Sequence, residues 1–113
     1  MKVTNSSKNT ILADKAKVAE GFFARLIGLL NRKSLNQGEA LVLSPSNSIH
    51  SFFMRFTIDA IFLDKAGKVI AALPSFKPFR LSGVYFNSRT VIELPADTIR
   101  ITRTEPGDTI QIL

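Results

Sequence analysis

His50 is the only histidine of this 113-residue chain, and the chain has no cysteine. A histidine changes charge near neutral pH, so with a carboxylate to orient it His50 could serve as a general base. Asp59 and Glu93 are the carboxylates to consider. Each interrupts an apolar run, Asp59 in "FTIDAIFLD" and Glu93 in "TVIELPA". No nucleophile elbow, phosphate loop or triad-like spacing accompanies them. Without cysteine there is no disulfide, thiolate ligand or cysteine nucleophile, and one imidazole among scattered carboxylates has no metal-ligand spacing. The residues therefore assign no catalytic group, no metal and no cofactor. An enzyme using His50 with Asp59 or Glu93 stands as one alternative.

A binding site is the better match to these residue types. Asn47, His50, Arg55, Asp59 and Glu93, with Lys77 and Arg80 from "FKPFR", could converge on one side of a sheet. Cations interleaved with Phe76 and Phe79 would hold an anionic or sugar-like ligand by stacking and hydrogen bonding. The plainer role for those two phenylalanines is to plug the open end of a sandwich. A protein partner, met through a strand edge or a phenylalanine patch, is not separable from a small ligand at this level.

Arg55 poses a separate problem. The stretch 50–64, "HSFFMRFTIDAIFLD", holds four of the nine phenylalanines yet carries Arg55 and Asp59. Read as a strand over 52–62, it puts Phe52, Met54, Phe56, Ile58, Ala60 and Phe62 on one face, and Arg55, Thr57 and Asp59 on the other. Arg55 and Asp59 would then stand about 13 Å apart, too far to touch. Glu93 is the expected partner of Arg55, as a structural ion pair joining two strands. Asp59 is expected to accept backbone N–H groups near Thr57 or to face a ligand.

The formal charge of +6 is uneven. In residues 1–33, Lys2, Lys8, Lys15, Lys17, Arg25, Arg32 and Lys33 outweigh Asp14 and Glu20. Such a basic end attracts phosphate-rich partners, so a nucleic-acid protein acting through its N-terminal third is the second alternative. No helix-turn-helix, zinc finger or RNP-type aromatic motif goes with the charge, which favours a solvated face and no nucleic acid.

The elements that must position these residues follow from hydrophobic period. "GFFARLIGLLNRK" repeats at helical spacing and predicts one α-helix near 20–32. Strands are expected at "TILA", "KVAE", "EALVL", within 50–64, at "KVIAAL", "RTVIELP", "TIRITR" (98–103) and "TIQIL", with turns at "DKAG" and "EPGD". Residues 74–83, bracketed by Pro74 and Pro78, read as an irregular crossing. Residues 1–8 read as a loose tail and 9–113 as one domain. The class is mainly β: an antiparallel sandwich or partly open barrel of about seven strands, with one helix from the N-terminal third packed against it. No apolar h-region or membrane-length run is present, so a cytoplasmic monomer away from membranes is expected.

Several motifs together resemble the family of domain of unknown function 192. They are Gly28, Leu29 and Arg32; Phe53, Met54 and Arg55; Ile58, Asp59, Ile61, Phe62, Leu63 and Asp64; and Glu93, Leu94, Pro95 and Ala96. The resemblance runs through about residues 10–112 and implies a small β-rich domain bearing one helix, with no established reaction. Two positions depart from the family pattern. Ser46 stands where members often have cysteine, and Asp97 where a glycine usually follows Pro-Ala.

Overall fold

The structure, a computed structural model, describes residues 1–19 and 32–113. The helix expected near 20–32 lies, but for its last residue, outside the described residues. Eight strands are described: β1 (Val3–Asn5), β2 (Thr10–Ala13), β3 (Lys15–Ala19), β4 (Glu39–Leu43), β5 (Ile58–Leu63), β6 (Val69–Phe76), β7 (Thr90–Pro95) and β8 (Ile110–Ile112). One short helix, α1 (Thr98–Thr102), precedes β8. The strands form a three-stranded sheet, β2-β1-β8, and a five-stranded sheet, β3-β4-β7-β5-β6. Pairing is antiparallel except between β3 and β4. Among the described residues the sheets do not close into a barrel, so the architecture is the expected sandwich.

The inner face of the large sheet meets the small one. Ala40, Val42, Ile61, Leu63, Ile92 and Leu94 share a cluster with Val3, Leu12 and Ile110. The outer face carries Leu43, Ala60, Phe62 and Val91. Because β5 is covered on both sides, all six of its residues are buried. That explains a run too apolar to alternate.

Four expectations are corrected. Residues 52–57 are not strand; Phe53 turns the chain at φ 67°, and β5 begins only at Ile58. "TIRIT" is helix, because Asp97 enters it in the left-handed region at φ 76° and its buried residues, Thr98, Ile99 and Thr102, share a helical face. Residues 1–8 are not a loose tail, since Val3–Asn5 is the central strand of the small sheet. Finally β6 runs through Pro74 to Phe76, which an edge strand allows. The turn glycines Gly67 (φ 87°) and Gly107 (φ 94°) stand as "DKAG" and "EPGD" require. A Cβ at Gly67 would come within 2.8 Å of the Ile110 carbonyl oxygen.

Candidate functional site

Segments 46–54 and 77–88 run past each other as an irregular antiparallel ribbon over the outer face of the large sheet. Tyr85 N–H donates to the Asn47 carbonyl, Ser82 N–H to that of Ile49 and Phe79 N–H to that of Ser51, each at 2.9 Å. His50 and Leu81 form an isolated antiparallel bridge. Ile49, Met54 and Tyr85 anchor the ribbon on the sheet.

Ser51 ties its two halves together. The residue is fully buried, and its Oγ donates to the Lys77 carbonyl while accepting the Arg80 N–H at 3.0 Å. Its backbone N–H donates to the Arg80 carbonyl at 2.9 Å. This knot sets the backbone on both sides. Phe53 and Phe79 hold φ of 67° and 61°. For a bulky residue that region costs about 1–2 kcal/mol. The outcome is an edge-to-face pair of rings 5.6 Å apart, 75% and 56% exposed. Phe52 stacks on His50 at 5.5 Å, and Leu81, Val84 and Phe86 are exposed farther along.

Cations flank these rings. Arg55, Lys77, Arg80 and Arg89 are exposed, and none is in an ion pair among the described residues. Segments 40–58 and 65–92 contain no aspartate or glutamate. The N-terminal third differs: Lys8 meets Asp108 at 2.9 Å and Glu105 at 3.3 Å, and Arg32 meets Glu39 at 2.9 Å. Part of the described N-terminal charge is therefore answered within the fold.

The seven candidate residues divide into three places. Asn47, His50, Lys77 and Arg80 lie on the ribbon, and Arg55 stands exposed just past Phe53. Asp59 lies on the inner face of β5, fully buried. Its Oδ1 accepts the Ser75 N–H at 2.9 Å and its Oδ2 the Ile99 N–H at 2.8 Å. It is held by backbone N–H groups, though not near Thr57, and its side chain is fully buried. Glu93 lies on the outer face, between Leu41 and Ala60 in register and 5% exposed. Its Oε2 has no hydrogen-bond partner among the described residues. Burial pushes its carboxyl up to about 7.

The expected Arg55–Glu93 pair is not formed. Because 52–57 loops outward instead of extending, Arg55 is exposed while Glu93 stays in an apolar layer. No dyad forms at His50 either. Its Nδ1 accepts the N–H of Phe52 at 3.3 Å, and neither Asp59 nor Glu93 is among its described partners. Of the two phenylalanines in "FKPF", Phe76 packs on the sheet and Phe79 does not. Reasoning from sequence missed Ser51 and the exposure of Phe53. A serine in an apolar run was the available signal for the first. No pattern signals a phenylalanine at positive φ.

A cleft of about 290 Å³ opens elsewhere, between β2, α1 and the turn at Gln37–Gly38. Its threonine hydroxyls are already engaged, Thr98 with the Pro95 carbonyl and Thr102 with that of Thr98, both at 2.7 Å. It contains none of the candidate residues.

Comparison with known proteins agrees with the fold. The family profile of domain of unknown function 192, described as an uncharacterized ACR, matches residues 2–112. A UPF0127 protein of Thermococcus sibiricus is 32% identical over 110 residues, covering 94% of this chain and 71% of the relative. One from Pyrococcus abyssi is 30% identical over 115 residues, covering 96% and 95%. A crystal structure of a protein of unknown function from Novosphingobium aromaticivorans superposes with a TM-score of 0.83 at 17% identity, covering 98% of this chain and 82% of that one.

Proposed function

We propose that this chain, which belongs to the family of domain of unknown function 192, is a binding domain whose ribbon face takes an anionic ligand. The observation that carries this reading is the coincidence of strain and charge. Two phenylalanines are held exposed at unfavourable φ, beside Lys77, Arg80 and Arg55, in segments without a carboxylate. Backbone strain persists only where surrounding bonds over-determine it, and it clusters at sites that bind or react. Here the buried Ser51 supplies those bonds. The cations have no carboxylate partner among the described residues, Arg80 reaching only the Phe79 carbonyl, so an external anion is the complement they lack. A sugar phosphate or an acidic segment of a partner would both satisfy that chemistry.

A thermal-shift screen over nucleotides, sugar phosphates, organic acids and neutral sugars tests this reading. A ligand that binds only the folded chain stabilises it by about 2.7 kcal/mol at a hundred times its Kd. The expected hits are anionic, and Lys77→Ala with Arg80→Ala should abolish them. Hits confined to neutral compounds, or hits unaffected by that double change, would overturn the proposal.

A further inference from the structure

We infer that the ribbon face is a platform for single-stranded nucleic acid, whose bases stack on Phe53 and Phe79 while its phosphates meet Arg55, Lys77 and Arg80. The inference rests on the anionic-ligand reading above and narrows it. Three observations carry it beyond a bare anion site. The exposed apolar residues of the ribbon are mainly aromatic: Phe52, Phe53, Phe79 and Phe86, beside Leu81 and Val84. Every base has a π face, so a row of exposed rings with interleaved cations suits a single strand of any sequence. An anion site alone would have no use for phenylalanines kept in water at positive φ.

The second observation is extent. The ribbon is paired from Asn47–Tyr85 to Ser51–Phe79, and the Phe53–Phe79 contact lies beyond. At ~3.3 Å per residue, the four steps from Asn47 to Ser51 reach about 13 Å, and the turn closed by the Met54 N–H on the Ser51 carbonyl then presents Phe53. That is room for a few nucleotides, at the short end of known single-strand sites. The third is charge. The cations of the ribbon are unpaired among the described residues, whereas Lys8 and Arg32 of the N-terminal third are paired. Among the described residues Lys2, Lys15, Lys17 and Lys33 are in no ion pair either, but exposed rings accompany only the ribbon cations, which places the nucleic-acid site on the ribbon.

The test is fluorescence anisotropy of a labelled oligothymidylate about 12 nucleotides long, titrated with the full chain at several salt concentrations near ~150 mM. Saturable binding is expected, weaker for the matching duplex. Phe53→Leu and Phe79→Leu keep apolar bulk but remove the π face, and each should weaken binding roughly 5- to 100-fold without changing the salt slope. Lys77→Ala and Arg80→Ala should each lower that slope by about 0.7. Circular dichroism on each variant checks that the sheet is intact. If inorganic polyphosphate binds as tightly and the leucine variants bind like the parent, the face takes bare anions; this inference fails and the broader one stands. If neither polyanion nor any anion of the screen binds, both fail. Loss of binding in Lys15→Ala/Lys17→Ala, with the ribbon variants unaffected, would overturn the placement.

Discussion

Asp59 Oδ2 accepts the Ile99 N–H at 2.8 Å, so a strand residue caps a helix that begins 39 positions later at Thr98. The residue in the cap position, Asp97, makes no side-chain cap bond; it turns the backbone at φ 76° and leaves the capping to Asp59. The other oxygen of Asp59 holds Ser75, itself at φ 54°, on the edge strand β6. One buried carboxylate therefore fixes two irregular corners.

Removing it should be costly. Asp59→Ala leaves two backbone donors unanswered, at about 1–3 kcal/mol each. Asp59→Asn keeps one acceptor and should cost roughly half as much. Urea denaturation of the three proteins measures both, and equal stability of Asp59→Ala and the parent would refute the capping role.

Glu93 predicts a pH dependence. Its carboxyl is pushed up to about 7 by burial, from an ordinary 4.5. Between those values the folded chain holds a proton that the unfolded chain has released. This group's contribution therefore falls as pH rises from 4.5 through 7, by at most about 1.4 kcal/mol per pH unit. Glu93→Gln should flatten that part of the profile and raise stability at pH 8. Denaturation midpoints across pH 4–9 provide the check, and an unchanged profile in the variant would count against an unpartnered Glu93.

Arg55 should be dispensable for folding. It is exposed and unpaired among the described residues, so Arg55→Ala should change stability by no more than about 0.5 kcal/mol. Its effect should also add to that of Glu93→Ala in a double-mutant cycle, as for residues that share no partner. A coupling energy of several kcal/mol would restore the ion pair expected from sequence.

Phe53→Gly should leave the fold as stable or more so. Glycine takes φ 67° without the penalty of a bulky side chain, about 1–2 kcal/mol, and the lost ring was three-quarters exposed. A rise in melting temperature together with weaker binding would be the mark of strain kept for function.

The sandwich was legible in the sequence because period-2 runs and turn glycines report directly on strands and hairpins. β4, β5, β7 and the turns at Gly67 and Gly107 all follow from such patterns. Short elements set by tertiary bonds were not. β1 has three residues and is fixed by Asn5, whose amide donates to Thr104 at 3.1 Å and Asp108 at 2.9 Å. α1 has five, too few to show a period, and its cap comes from β5. The candidate site divided for a related reason. Asp59 and Glu93 were recognised as odd, yet only the register of β5 and β7 decides that they face opposite sides of the sheet. Arg55 was assigned to a strand that the Phe53 corner ends.

The small sheet also bears on the order of assembly. β1 sits between β2 and β8, and the Asn5–Asp108 bond joins positions separated by 103 in sequence. Closing a ring of that length costs about 4 kcal/mol of chain entropy before any contact rewards it. The large sheet has no such first-to-last closure. β1 and β8 should therefore zip up after the large sheet has formed, and amide exchange should find them a separately opening unit.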